Sequence, residues 1–173
     1  ERIDRLAIDL DRRGLGHYIY RAIDAADQAR IWELRKAALG LTMSQMGNAK
    51  SISFVEDSAV APEHLHDYIA RFQQILARYE IPSGFYAHAS VGLLHIRPVV
   101  DMKSADGVET FAQIAVEIAD LVLECGGALS GEHGDGLVRS PWMEKMFGIQ
   151  IYNAFREVKH AFDPKSIMNP GKI

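Results

Sequence analysis

The stretch from Ser104 to Gly127 constrains the fold most, because it reads as one bounded amphipathic helix. Phe111, Ile114, Ile118, Leu121 and Cys125 recur at steps of three and four, which sets them on a single face. Ser104 stands where an N-cap belongs, and Gly126-Gly127 stands where the helix must stop. A helix with one apolar face has to bury it against another layer. The neighbouring segments supply that layer. Residues 51–57 alternate Ile52 with Phe54 as a strand does, and residues 85–87 and 93–100 read as two more strands. Pro62 opens a second helix whose stripe is Leu65, Ile69, Phe72, Leu76 and Tyr79. A further helix spans about 22 to 39, with Ile23, Ile31, Leu34 and Ala38 on one face and Gly40 beyond its end. A final helix carries Ile151, Phe155, Val158 and Phe162 until Asp163-Pro164 ends it. A short extended piece follows Gly127. The order α-β-α-β-β-α-β-α predicts an α+β fold, an antiparallel sheet with helices packed on it.

With 173 residues the chain can form one core and is short for two. A net charge of −4 without a basic block argues against nucleic acid as a partner. No run of about 18 apolar residues is present, so a membrane span is not expected. Cys125 is the only cysteine, which rules out an intrachain disulfide and suggests a buried small hydrophobe in a reducing, cytoplasmic setting. The chain begins Glu-Arg-Ile-Asp-Arg, without Met, and reads as a fragment of something longer.

Two stretches concentrate metal-binding chemistry. His88 and His95 are seven apart, which on one straight strand would send them to opposite faces. A tight turn at Val91-Gly92 would instead pair 88 with 95 and bring both rings to one face, with Cβ atoms roughly 5 Å apart. The second stretch, residues 130–136, reads Ser-Gly-Glu-His-Gly-Asp-Gly, so Glu132 and His133 lie in a loop of little bulk. His88, His95 and Glu132 would make a three-ligand site with room for water or substrate. His133 is then placed to act as a general base near neutral pH. Each stretch alone also fits ordinary packed or solvated residues. The residues therefore leave open a metal-dependent hydrolase and a non-catalytic binding module in which the histidines are structural. His64 and His66, two apart on a helix, cannot share a metal.

The combination of Gly126-Gly-Ala-Leu-Ser-Gly-Glu-His-Gly-Asp-Gly136 with Phe162-Asp-Pro and Asn169-Pro-Gly-Lys172 resembles the C-terminal domain of FAD-linked oxidases, flavoproteins of the vanillyl-alcohol-oxidase type. Within them the likeness is to the group of glycolate oxidase, D-lactate dehydrogenase and D-2-hydroxyglutarate dehydrogenase. The resemblance implies a ferredoxin-like plait over residues 1–173, acting as one substrate and cap domain. It implies that FAD is held mainly by an N-terminal domain absent from this chain, and that a D-2-hydroxy acid is oxidised to the 2-oxo acid. It gives His88, His95 and Glu132 as ligands of a divalent metal, zinc or manganese, and His133 as catalytic base. Arg35 and Lys50 match positions that hold substrate carboxylates. Arg97, on the face of His95 by strand alternation, would meet either a substrate carboxylate or an internal ion-pair partner, with Arg139 a weaker candidate. Glu132, Gly134 and Asn169 would lie at the flavin. Many members read Gly-Asp-Gly-Asn-Leu-His where this chain reads Ser90-Val-Gly-Leu-Leu-His95, and Ile96-Arg97-Pro98 follows as in large members with an added iron–sulfur domain. The expected partners are thus a small 2-hydroxy acid, the FAD domain, and an iron–sulfur domain or electron-acceptor protein that could tether it to a membrane surface.

Overall fold

A computed structural model of the chain describes residues 1–44 and 46–172. They fall into two units, Glu1–Ser44 and Gln45–Ile173. The first holds α1 (Arg2–Arg12), which the sequence pattern did not reveal, and α2 (Ala25–Met43). Asp24 caps α2 by accepting the Asp27 N–H at 2.9 Å. The helix does not end before Gly40 as its glycine suggests. It runs on to Met43, and the Gly40 carbonyl accepts the Ser44 N–H at 3.0 Å. One glycine inside a helix costs only about 1 kcal/mol, too little to stop it. Ile23, Ile31 and Leu34, expected on a buried face, are exposed.

The second unit is built on a sheet centred on β4 (Leu93–Val100). On one edge β3 (Ser83–His88) pairs antiparallel with it, Ser83 opposite Pro98 through His88 opposite Leu93. Along the other edge run β1 (Lys50–Ser51) and β2 (Ser58–Ala59). The expected strand over 51–57 is therefore broken. From Ser51 to Ser58 the chain takes seven residue steps, while its partner takes five, from Val99 to Leu94. The two surplus residues make a bulge, which bends the strand and re-aims its side chains. An isolated antiparallel bridge between Ala59 and Ala128 adds a remnant of a fourth extended segment. In space the segments lie in the order fourth, first, third, second, the split β-α-β plait that the resemblance implies.

Helices α3 (Leu65–Arg78) and α4 (Ala105–Glu124) cover one face of this sheet. Tyr68, Phe72, Ile75 and Leu76 of α3 meet Ile114, Ile118, Leu121 and Val122 of α4 over Leu94, Ile96 and Val100 of β4. The even residues of β4 thus point to the helices. Its odd residues, among them Leu93, His95 and Arg97, point to the opposite face, as the two-residue period of a strand requires. The Ser104 hydroxyl accepts the Gly107 N–H at 3.0 Å, as its predicted capping role demands. Cys125 is half-buried beside the core, and burial pushes its thiol pKa up, which suits an inert side chain.

Two short helical pieces, α5 (Gly136–Arg139) and a 3-10 turn over Ser140–Trp142, lead into α6 (Met143–Phe162), broken at Gly148. Asp163 follows α6 as the sequence predicts. The apolar face of Ile151, Phe155, Val158 and Phe162 is exposed, 46 to 80% by residue, rather than packed on a core. Among the described residues no helix is long and apolar enough to cross a membrane.

Candidate metal and proton-transfer site

The sheet face away from the helices carries His95, and its position follows from the strand register. The hairpin does not turn tightly at Val91-Gly92. Its connection is four residues, 89–92, with a 3-10 turn over Ala89–Val91 and Gly92 at φ +72°. A two-residue hairpin turn would need a left-handed or otherwise primed geometry that β-branched Val91 resists, and the longer loop asks it only of Gly92. A side chain at Gly92 would also drive its Cβ to within 1.8 Å of the Val60 carbonyl oxygen. Tyr86, not His88, therefore stands opposite His95. The slip is by two residues, so the face is kept. His88 lies diagonally across from His95, their ring centroids 5.3 Å apart.

Glu132 and His133 reach the same face because the glycine loop lies directly on the sheet. A Cβ at Gly131 would sit 2.4 Å from Leu93 Cδ1 and 3.2 Å from Ala59 Cβ, so a side chain here would have to displace Leu93 or lift the loop. Glu132 Oε1 lies 3.2 Å from His95 Nε2, 3.4 Å from His133 Nε2 and 3.7 Å from His88 Nε2. An ion bound tetrahedrally at 2.0–2.1 Å separates its donors by about 3.3–3.4 Å. The contacts of Glu132 Oε1 with His95 and His133 lie near that distance, and the contact with His88 is longer. Asp57, His95, Glu132 and His133 likewise present donor atoms within 4.8 Å of one another. Asp57 is the least suited of them to ligate, because its oxygens are already taken up by hydrogen bonds. His95 is buried, whereas His88, Glu132 and His133 are each 41 to 45% exposed by side chain. The donor set is anchored on one side and open on the other, as a catalytic site needs.

Two acids that sequence reasoning passed over hold this arrangement. The bulge buries Glu56 and Asp57 side by side in the interior. Asp57 grips the loop: its carboxylate accepts the Ser130 hydroxyl at 2.6 Å, the His133 N–H at 2.9 Å and the Glu132 N–H at 3.2 Å. Burial alone would raise its carboxyl pKa, but the hydrogen bonds from Ser130, His133 and Glu132 outweigh it and hold the pKa below the usual range. Glu56 lies between the two rings, Oε1 at 3.0 Å from His133 Nδ1 and Oε2 at 3.2 Å from His95 Nδ1. The second contact is off the hydrogen-bond axis, leaving the His95 Nδ1 without an aligned partner. Arg139 joins bulge to loop, donating to the Glu56 carbonyl at 2.9 Å and the Gly134 carbonyl at 3.5 Å. The available signal was an Asp-Glu-type acid pair between apolar Phe54-Val55 and Ala59-Val60, a costly burial unless both acids are partnered.

The remaining residues singled out from sequence are placed as follows. Arg97 is opposite Gly84 and donates to Glu56 Oε2 at 3.4 Å, so it has an internal ion-pair partner while its Nε has no hydrogen-bond partner. Lys50 begins β1 opposite Val100, five residues along β4 from His95. Arg35 belongs to the first unit, on α2, with its guanidinium carbon 5.4 Å from the Trp32 ring centroid. Gly134 lies in the loop at φ +79°. Asn169 lines a cleft of about 700 Å³ between α6 and the tail, with Tyr152, Arg156, Lys159 and Lys172.

The structure thus places three histidines and Glu132 together on the open face of a plait. The chain belongs to the family described as FAD linked oxidases, C-terminal domain, whose model matches residues 3–173. It is similar to D-2-hydroxyglutarate dehydrogenase of Haemophilus influenzae, 44% identical over 144 residues, 83% of this chain and 14% of that protein. The enzyme of the same name from Pantoea ananatis is 39% identical over 172 residues, 99% of this chain and 16% of that protein. Glycolate oxidase subunit GlcD of Bacillus subtilis is 32% identical over 141 residues, 82% of this chain and 29% of that protein. The chain spans 14 to 17% of the length of the D-2-hydroxyglutarate dehydrogenases it matches.

Proposed function

We propose that residues 1–173 act as the substrate and cap domain of a FAD-dependent dehydrogenase that oxidises a D-2-hydroxy acid to the 2-oxo acid. The relatives' names favour a substrate of the 2-hydroxyglutarate type. One observation carries the reading: a single carboxylate oxygen, Glu132 Oε1, within 3.7 Å of three imidazole Nε2 atoms. His88, His95 and Glu132 would hold the metal, and His133 stays half-exposed beside them. When bound, the flavin supplies the electron acceptor and the divalent ion, zinc or manganese, polarises the substrate hydroxyl.

His133 takes the hydroxyl proton at Nε2, and its Nδ1 is already engaged by Glu56, which leaves that nitrogen as the free acceptor. Arg97, on the same sheet face as His95, is assigned to a substrate carboxylate together with Arg35 and Lys50. Glu132, Gly134 and Asn169 lie toward the flavin. The FAD domain, and an iron–sulfur domain or electron-acceptor protein, are the partners, in a reducing cytoplasmic setting with contact to the membrane surface only through that acceptor.

The test is a Zn²⁺ titration of the chain in chelator-free buffer, beside His88→Ala and Glu132→Ala. One equivalent bound by the parent and lost in both variants supports the reading. Undiminished binding in both variants sinks the ligand assignment, and ester hydrolysis by the zinc-loaded chain without flavin would turn the reading to a hydrolase.

A further inference from the structure

Glu56 is buried, and its contact with His133 is only part of what it touches. A regular strand through 51–57 would alternate its side chains across the sheet. The bulge instead buries residues 54 to 58 in succession and turns Glu56 onto the face of His95 and His133. The two rings stack with centroids 5.0 Å apart and planes 17° from parallel. Their Nδ1 atoms both lie against Glu56, one on each carboxylate oxygen, and their Nε2 atoms both lie against Glu132 Oε1.

We propose that Glu56 is a positioning residue that fixes His95 and His133 together in the Nδ1–H tautomer, so that both present an Nε2 lone pair to the open site. The inference rests on the function proposed above for those two rings. The reason is the donor inventory. A carboxylate can only accept hydrogen bonds, so the His133 Nδ1 bonded to Glu56 has to carry the proton. The His95 Nδ1, 3.2 Å from Oε2 but off the hydrogen-bond axis, is drawn to the same state by the charge of the buried carboxylate, which outweighs that of Glu132 because Glu132 is 45% exposed and screened by water. A neutral imidazole protonated at Nδ1 has its lone pair at Nε2, the nitrogen required of a metal ligand and of a general base alike. One acid thereby sets the state of the ligand and of the base, and neither can change tautomer without opposing it. Glu56 is itself held: Arg97 stands 3.4 Å from Oε2, Arg139 stands 3.9 Å from Oε1, and Arg139 also grips the Glu56 carbonyl. Two guanidinium groups compensate the charge that burial would otherwise penalise.

Glu56→Gln separates this role from packing, because the amide keeps the shape and replaces one acceptor by a donor. Its oxygen can accept from one Nδ1–H, while its NH₂ demands a lone pair from the other ring and drives that proton to Nε2. The chain, labelled with ¹⁵N at its histidines, is read at pH 8 without metal by long-range proton–nitrogen correlation, and Zn²⁺ affinity is measured by chelator competition. The expected result is Nδ1–H at both rings in the parent and Nε2–H at one ring in Glu56→Gln. Zinc affinity should fall about 10- to 100-fold in that variant, the usual cost of losing a carboxylate behind a ligating histidine. Glu56→Asp, which keeps two acceptors, should retain both Nδ1–H tautomers, and it decides the matter if Glu56→Gln fails to fold. Nε2–H at either ring in the parent or in Glu56→Asp overturns the proposal. So does a Glu56→Gln protein with both rings unchanged and zinc affinity within twofold. A parent chain that shows the tautomer pair yet binds no zinc upholds the role of Glu56 and overturns the metal reading instead.

Discussion

Replacing Asp57 by Asn tests how the glycine loop is held on the sheet. Asp57 occupies φ +76°, a region that Asn tolerates, so the backbone has no reason to move. The side chain is fully buried and accepts from Ser130, His133 and Glu132. An Asn oxygen in the place of Oδ2 keeps the first two donors, but its NH₂ then faces the Glu132 N–H. Hydrogen bonds to a charged group contribute about 1.5–3 kcal/mol net and neutral ones about 0.5–1.5, so each of three bonds loses about 1 kcal/mol. The total, about 3 kcal/mol, is a large part of an ordinary domain's stability. Urea unfolding followed by Trp142 fluorescence in a Trp32→Phe background reads the second unit alone, since these are the only two tryptophans. The dependence on pH has a definite sign. A carboxylate with a lowered folded pKa stabilises fully above its unfolded value, near 3.9, and that contribution fades as pH falls through the folded value. The gap between parent and Asp57→Asn should therefore be widest near neutrality and close toward acid. A gap below about 0.5 kcal/mol at pH 7, or one that persists unchanged at low pH, would refute the reasoning.

Two further outcomes follow from the same contacts. Gly131→Ala places a methyl group 2.4 Å from Leu93 Cδ1, an overpacking of the kind that costs about 1–3 kcal/mol, and it lifts Glu132 and His133 from the sheet; thermal melting and zinc affinity should both fall, and unchanged affinity would mean the loop seats itself without that close approach. Asp163 accepts Lys159 Nζ and the N–H groups of Ile167 and Met168, and the lysine contact, opposed by burial, leads in holding its carboxyl below the usual range. Protection of the Ile167 and Met168 amides from hydrogen exchange should thus be complete above the ordinary carboxylate range and lost as pH drops through the lowered value, and protection indifferent to pH would assign the tail's order to other contacts.

The amphipathic stripes, the capped helix at Ser104 and the α+β order were legible along the chain because each rests on spacing between near neighbours. His88, His95, Glu132 and His133 stood out as candidates because few side chains can ligate a metal, and the structure brings the four near one another. Their grouping did not depend on the hairpin register being read correctly: a two-residue slip leaves every side chain on its face. Glu56 and Asp57 were another matter. In sequence they look like two solvated acids ending a strand, and only a surplus of two residues against β4 turns both inward. That bulge is a relation between segments some forty residues apart, as is the seat of Gly131 on Leu93. Residue types and their spacing along the chain mark the groups able to do such chemistry. Tertiary structure alone decided which nitrogen of each ring faces outward, because that choice depends on an acid delivered from another strand.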